Sequence, residues 1–142
     1  MLFNKRPRLI ERLLLVEDEP LVAFDNEHGL KEAGYEVVAT VDNVEDALAV
    51  LDEPLDLVLL DVNLAEGENG LEVARAARER NLPVLLVTGH PPADAADFAL
   101  GCLSKPYNER TLRAALAAVD AMLGGEKPKS TPGLTIYARA AG

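Results

Sequence analysis

Short runs rich in Leu and Val alternate with longer amphipathic segments along most of this chain. Runs of this length and composition are typical of strands buried on both faces of a sheet. We assign five strands, at 13–16, 35–41, 57–61, 84–88 and 102–104. Because helical segments separate them, the pattern predicts a doubly wound α/β fold: a parallel five-stranded sheet with right-handed crossovers and helices on both faces.

Four of the intervening or following segments have clear helix signals. Pro20 suits a first helical turn, Gly34 ends that helix, and Asn43 and Asn108 are favourable N-caps. The third such helix begins after Asn69-Gly70. The positions predicted to face inward are Leu21, Val22, Leu30 and Ala33; Val44, Ala47, Leu48 and Leu51; Leu71, Val73, Ala74 and Ala77; and Leu112, Ala115, Leu116, Val119, Met122 and Leu123.

A fifth helix, between the fourth and fifth strands, has the weakest signal. Gly89-His90-Pro91-Pro92 precedes it, and Phe98 and Leu100 are the large apolar residues in an otherwise Ala- and Asp-rich stretch. Because so little apolar surface is available for burial, we expect this helix to be marginally stable.

The two ends of the chain differ in composition from the rest. We expect a main domain over 12–123, with a basic, Pro-containing N-terminal extension at 1–11 that is frayed or becomes ordered late in folding. Residues 124–142 form a predicted linker and tail, Pro-, Lys- and Gly-rich before a β-prone run at 134–137. Disorder is the default expectation for this tail; an added edge strand and a partner-docking peptide are the alternatives.

Composition narrows the class of protein. Fourteen basic and 24 acidic residues give a net charge of -10, which disfavours nucleic-acid binding. Cys102, the single cysteine, excludes an internal disulfide and is expected to be a small buried hydrophobe. No apolar run reaches the roughly 20 residues of a membrane span, and no signal-peptide core is visible. We therefore expect a cytoplasmic protein with no membrane contact.

Polar groups follow four of the predicted strands directly: Glu17-Asp18, Asp61, Thr88 and Lys105-Pro106. In a parallel sheet these groups emerge at one edge, where open α/β sheets place their chemistry. Converging carboxylates need a cation, and Mg²⁺ prefers carboxylate and carbonyl oxygens. We predict a Mg²⁺ site formed by Glu17, Asp18, Asp61 and the backbone carbonyl of Asn63. Zinc is disfavoured because His28 and His90 lack partners at ligand spacing.

Asp61 is the predicted nucleophile, because it stands at the tip of the central strand, where it could form an acyl phosphate. The Thr88 hydroxyl and the Lys105 ammonium could each bond one phosphoryl oxygen. A polar residue after a strand is also often a helix cap, which is the alternative for each site taken alone. The four sites together, in this order, favour phosphoryl chemistry.

The chain resembles the receiver domains of two-component response regulators, since Glu17-Asp18, Asp61, Thr88 and Lys105-Pro106 match the family motif in order. The resemblance covers about 12–123. It implies a flavodoxin-like sheet of order 2-1-3-4-5 and a cis Lys105–Pro106 peptide. It also implies Mg²⁺-dependent phosphorylation of Asp61 by a histidine kinase or histidine phosphotransferase, followed by self-catalysed dephosphorylation.

Three departures from the family pattern bear on how phosphorylation is read out. Cys102 replaces the family's switch aromatic, so Tyr107 or the weak helix is expected to take over that role. The loop after Asp61 is one residue longer and lacks its usual proline. Leu86-Val87-Thr88-Gly89-His90 shares Thr and Gly with the Phe-Ala-Thr-Gly-Tyr signature of an alphaproteobacterial single-domain subgroup. Gly89, His90 and Asn63 are expected to tune hydrolysis.

We therefore expect a stand-alone receiver that acts as a phosphoryl shuttle, a sink or a docking switch for a downstream protein. The alternative is a receiver-fold binding module regulated without phosphorylation. An Asp-x-Asp phosphatase is disfavoured because position 63 is Asn, and a flavodoxin is disfavoured because the first loop is acidic. Self-phosphorylation from a donor and self-dephosphorylation would not make the protein a conventional turnover enzyme.

Overall fold

A computed structural model describes residues 7–64 and 67–137 and shows a six-stranded sheet between two pairs of α-helices. The strand order is β2-β1-β3-β4-β5-β6, which confirms the predicted order and adds one strand. The strands are β1 (Arg12–Val16), β2 (Glu36–Val41), β3 (Leu57–Asp61), β4 (Val84–Thr88), β5 (Gly101–Ser104) and β6 (Leu134–Ile136). The α-helices are α1 (Pro20–Glu32), α2 (Val44–Val50), α3 (Leu71–Glu79) and α4 (Glu109–Leu123).

The first five strands are parallel and in the register that brings their carboxyl ends to one edge. Val16 is level with Leu60, Asp61 with Val87 and Thr88 with Ser104. β3 and β4 are buried along their whole length because helices cover both faces of the sheet. The sheet therefore presents the strand-end residues at a single rim.

Two hydrophobic cores lie on opposite faces of the sheet. One packs α2 and α3 against alternate residues of the strands, and the other packs α1 and α4 against the remaining ones. Asn43 and Asn108 accept hydrogen bonds from Asp46 N and Thr111 N, as expected of N-caps. The prediction for α1 is wrong at Leu21, which is 80% exposed; the buried face carries Ala23, Asn26, Gly29 and Leu30 instead.

The connection from β4 to β5 is not an α-helix. Between these strands the structure has a single 3-10 turn, Ala95–Asp97. Ala95 is buried, Phe98 is half-buried, and the Arg75 guanidinium lies 5.1 Å from the centre of the Phe98 ring. The predicted helix is wrong because two prolines remove backbone donors and few large apolar side chains follow them to bind the segment to the core.

The run at 134–137 is ordered, so the default expectation of a disordered tail is wrong there. β6 pairs antiparallel with β5, Ser104 N donates to Gly133 O, and Tyr137 N donates to Leu100 O. The pairing requires a glycine at position 101, because a Cβ there would lie 2.5 Å from the Thr135 carbonyl oxygen. The edge-strand alternative is the correct one.

Part of the N-terminal extension is also fixed to the domain. Ile10 is fully buried, and the N–H groups of Leu9 and Ile10 both donate to Asp120 Oδ2 at 2.8 Å. The Arg8 guanidinium lies over the Tyr35 ring. The expectation of a frayed segment is therefore wrong for 8–11, and residues 1–6 lie outside the described part. Among the helices in 7–64 and 67–137, none has the length and apolar character needed to cross a bilayer.

Candidate functional site

Four elements bring the predicted polar groups to the carboxyl edge. Glu17 directly follows β1, Asp61 ends β3, Thr88 ends β4, and Lys105 directly follows β5. Glu17, Asp61 and Thr88 are buried, whereas Lys105 keeps about a quarter of its side chain exposed. The strand register alone thus converts four separate sequence positions into one cluster.

The Lys105 ammonium lies between two of the carboxylates. Its Nζ is 3.1 Å from Asp61 Oδ2 and 3.2 Å from Glu17 Oε1. Burial opposes the charged ammonium, but the hydrogen bond to Asp61 and the charge of Glu17 outweigh it and raise the pKa of Lys105. Lys105 therefore stays charged and neutralises part of a buried acidic pair.

Glu17 is a buried acid whose neutral form is favoured over its charged form. Burial is the main cause that raises its pKa to about 7, although a hydrogen bond from Glu19 N opposes the shift. The negative charge of Asp61 raises it further. One lysine does not fully compensate the pair, so a second cation would stabilise the deprotonated cluster.

Glu17, Asp18 and Asp61 have the composition and spacing of a site for a hard cation. One ligand oxygen from each of the three lies within 4.8 Å of the others. Asn63 directs its N–H to Asp61 Oδ1 at 3.0 Å, which fixes the loop that carries the predicted carbonyl ligand. Carboxylate and carbonyl oxygens are the donor set that Mg²⁺ prefers, so these residues fit that ion.

Gly70 is a residue of the site that the sequence reasoning used only as a loop signal. Its N–H donates to Val62 O, and a Cβ on Gly70 would lie 2.6 Å from the Asp61 carbonyl oxygen. Any side chain at this position would push the backbone that carries Asp61. The Asn69-Gly70 dipeptide was the available signal, but the close approach depends on tertiary packing.

The Thr88 side chain bonds to nearby backbone, as the capping alternative expects, but it does not cap an α-helix. Its hydroxyl oxygen accepts a hydrogen bond from His90 N at 3.1 Å, and Asp61 likewise accepts from Asn63 N two residues ahead. In both contacts a side chain bonds the backbone N–H two residues ahead, and no α-helix begins between Thr88 and β5. Thr88 O also accepts from Lys105 N. This bond joins β4 to the loop of residues 105–108 between β5 and α4, called the lysine loop below.

The lysine loop is tied to α1 through a polar pair. The Lys105–Pro106 peptide is cis, as the resemblance implies, and Tyr107 follows it. Asn26 Nδ2 donates to the Tyr107 hydroxyl at 2.8 Å. Burial raises the pKa of Tyr107, and the bond from Asn26 opposes that shift. Sequence patterns gave no signal for Asn26, because a polar residue on an inward helix position looks like a break in the apolar stripe.

Cys102 is buried on β5, as predicted. Burial raises the pKa of its thiol, while hydrogen-bond contacts with the Thr88 backbone and the Tyr137 side chain oppose the shift. An aromatic side chain thus does lie beside position 102, but it comes from the segment after β6. The sequence placed Tyr137 in the tail and gave no reason to join the two.

The other predicted tuning residues lie at the rim. Gly89, His90 and Asn63 are exposed, and nothing lies within 4 Å of the position a Cβ would take at Gly89. His28 is on the outer surface of α1, stacked on Phe24 and paired with Glu32. His28 therefore lies on the surface, away from the acidic cluster.

Comparison with known proteins identifies relatives by sequence. The profile of the response regulator receiver domain matches residues 13–117. The TorCAD operon transcriptional regulatory protein TorR of Escherichia coli O157:H7 is 37% identical over 90 residues. That match covers 63% of this chain and 38% of TorR, so the chain spans well under half the length of this relative.

Solved structures give the same grouping. The response regulator PhyR from Brucella abortus is 27% identical with a TM-score of 0.70, over 83% of this chain and 50% of PhyR. The receiver domain of the sensor histidine kinase PA1611 from Pseudomonas aeruginosa PAO1 is 25% identical with a TM-score of 0.65, over 75% and 93% of the two chains. That domain holds a magnesium ion in its active-site cleft.

Proposed function

Because this chain belongs to the response regulator receiver domain family, we propose that it accepts a phosphoryl group on Asp61 from a histidine kinase or a histidine phosphotransferase. The observation that carries the proposal is the buried cluster in which Lys105 contacts both Glu17 and Asp61. In such a cluster two buried carboxylates repel each other, and a bound cation would offset that repulsion. The Lys105 ammonium could then bind a phosphoryl oxygen on Asp61.

In the proposed reaction a carboxylate oxygen of Asp61 attacks the phosphorus atom of a phosphohistidine. A bond forms between that oxygen and phosphorus, the bond from phosphorus to the imidazole nitrogen breaks, and the nitrogen keeps the electron pair and takes up a proton. The Lys105 ammonium and the Thr88 hydroxyl would bond the phosphoryl oxygens. Dephosphorylation is the attack of water on the same phosphorus atom, with Asp61 as the leaving group.

A metal ion is part of the proposal. Glu17, Asp18 and Asp61 would hold Mg²⁺, with the Asn63 carbonyl as a further ligand. When bound, such an ion would neutralise negative charge on the phosphoryl oxygens. Glu17 and Asp18 would supply the charge that binds it, and the Asn63 N–H orients Asp61 by donating to Oδ1.

We place this chemistry in the cytoplasm and in a signalling role. A phosphoryl shuttle, a phosphoryl sink and a switch that docks a downstream protein are all compatible with one phosphorylation site on a receiver fold. The exposed rim residues Gly89 and His90 leave the Thr88 side of the site open to water and to partners, which supports fast exchange of the phosphoryl group.

Intact-mass measurement tests the proposal. The protein is incubated with Mg²⁺ and acetyl phosphate, in parallel with Asp61→Ala and with Asp97→Ala as a control at an exposed carboxylate outside the cluster. Wild type and Asp97→Ala are expected to gain the mass of one phosphoryl group, labile in base, and Asp61→Ala to gain none. If wild type gains no phosphate from acetyl phosphate or from a cognate kinase, the binding-module alternative is favoured.

A further inference from the structure

A polar pair formed by the buried Asn26 and the half-buried Tyr107 lies beside the carboxylates of the site. Asn26 on α1 donates to the Tyr107 hydroxyl at 2.8 Å, and Asn26 is 9% exposed. Tyr107 lies two residues after Lys105, in the loop between β5 and α4. The bond therefore ties the first helix directly to the segment that carries the ammonium group.

The pair also borders the acidic cluster. Asn26 and Tyr107 line a cavity of about 10 Å³ together with Glu17 and Asp61, and apolar side chains from the strands complete its walls. A cavity of this size holds about one water molecule at most. The side chains around it are therefore fixed by one another rather than by solvent.

The hydrogen bond from Asn26 fixes the Tyr107 hydroxyl as an acceptor on one side. Because its oxygen accepts from Asn26 Nδ2, its own proton remains available for donation toward the cavity that Glu17 and Asp61 share. Burial raises the pKa of Tyr107, so the hydroxyl keeps this proton at neutral pH. The pair thus leaves one donor beside the small cavity that Glu17 and Asp61 also line.

Beyond its contacts with Glu17 and Asp61, the Lys105 side chain has few restraints from the described residues. Its ammonium sits on a flexible four-carbon stem, and Ser104 and Pro106 on either side are exposed. On the backbone, Lys105 N donates to Thr88 O. Tyr107 is the nearby residue of this loop whose side chain enters the core, where it packs with the cluster beneath α1 and α4.

We propose that Asn26 and Tyr107 form a positioning pair that holds the Lys105 ammonium between Glu17 and Asp61. The effect on phosphoryl transfer rests on the proposed function, whereas the effect on the position of Lys105 exists in the resting protein. Removal of the Tyr107 hydroxyl leaves the Asn26 amide without its acceptor and frees the loop to move relative to α1.

Tyr107→Phe is the first test, because it removes the hydroxyl and keeps the ring. We expect the side-chain NMR resonances of Lys105 to shift in the metal-free resting protein, and phosphoryl uptake from acetyl phosphate to slow roughly ten-fold, since misplacement of a reacting group can cost up to ~10². Asn26→Ala should do the same. Tyr35→Phe, at a buried tyrosine outside the pair, should leave both measurements at wild-type values.

A double-mutant cycle separates positioning from general damage. If the pair acts through Lys105, Tyr107→Phe has no further effect on the uptake rate in a Lys105→Met background. An equal slowing in both backgrounds, or Lys105 resonances unchanged by Tyr107→Phe, would overturn the proposal. If wild type takes up no phosphate while Tyr107→Phe still shifts the Lys105 resonances, the positioning pair stands and the proposed function fails.

Discussion

At the carboxyl edge of the sheet, buried charges face one another across about 3 Å, with one lysine between two acids. Along the flank beyond β5, backbone hydrogen bonds and half-buried apolar side chains of β6 cover the sheet. The first region costs stability and is the site of the proposed chemistry, whereas the second adds stability and has no reactive cluster among its described residues. Removal of a buried charge should therefore stabilise the first region, whereas removal of side chains and strand pairing should destabilise the second.

The largest expected effect concerns Glu17 in the metal-free protein. Its pKa is about 7 in the folded state against 4.5 as a free side chain, so the folded state binds more protons between these values. Stability should fall as pH rises from about 4.5 to about 7 and then level off, by at most on the order of 3 kcal/mol. Glu17→Gln should remove most of this slope.

Urea unfolding across this pH range with a chelator present measures the slope. Glu17→Gln should be more stable than wild type above the folded-state pKa, because it carries no charge to repel Asp61. If the free energy of unfolding depends on pH in the same way in the two proteins, burial of Glu17 does not destabilise the fold.

Gly70→Ala should displace the backbone that carries Asp61. The added Cβ would lie 2.6 Å from the Asp61 carbonyl oxygen, a backbone atom that can move only with its strand. We expect a loss of about 2 kcal/mol in the free energy of unfolding. Gly89→Ala is the matched control, since nothing lies within 4 Å of its Cβ position, and it should change stability by less than about 0.5 kcal/mol. Equal losses in chemical denaturation would contradict the close-approach argument.

Deletion of residues 134–142 tests the other region. The deletion removes the pairing of β6 and the half-buried side chains of Leu134 and Tyr137, and should cost about 1 to 2 kcal/mol. A truncation after Tyr137 is the control and should behave as the full chain. Thermal unfolding that is identical for all three proteins would restore the expectation of a disordered tail.

Tyr137→Phe should have the smallest effect. It removes the hydroxyl that contacts the Cys102 thiol while keeping the ring against the core, at a cost of about 0.5 to 1 kcal/mol. Because the hydroxyl lowers the pKa of the thiol against the effect of burial, alkylation of Cys102 should become slower in the variant. A faster reaction would mean that Tyr137 shields Cys102 and does not bond to it.

The two regions also differ in how far the sequence could predict them. Glu17, Asp61, Thr88 and Lys105 were predictable because each directly follows or ends an apolar strand, and parallel strands share one edge. Asn26 and Gly70 were not, because their roles depend on contacts with residues that are distant in the chain or on the approach of another backbone segment.

The flank was harder for a different reason. The β4–β5 connection was predicted as a helix from the alternation of elements, which overrode the local signal of its prolines and short apolar content. Disorder was expected for the run at 134–137 because the linker before it is rich in Pro, Lys and Gly. Its pairing depends on Gly101, whose missing side chain makes room for the Thr135 carbonyl, and that pairing spans more than 30 residues.

The most direct test of the central claim is to locate the phosphoryl group. Borohydride reduces an acyl phosphate on aspartate to homoserine, which marks the modified residue permanently. After incubation with Mg²⁺ and acetyl phosphate, reduction and peptide mass spectrometry, we predict homoserine at position 61 and unmodified Glu17 and Asp18. Homoserine elsewhere, or at no position, would contradict the assignment of Asp61 as the phosphoryl acceptor.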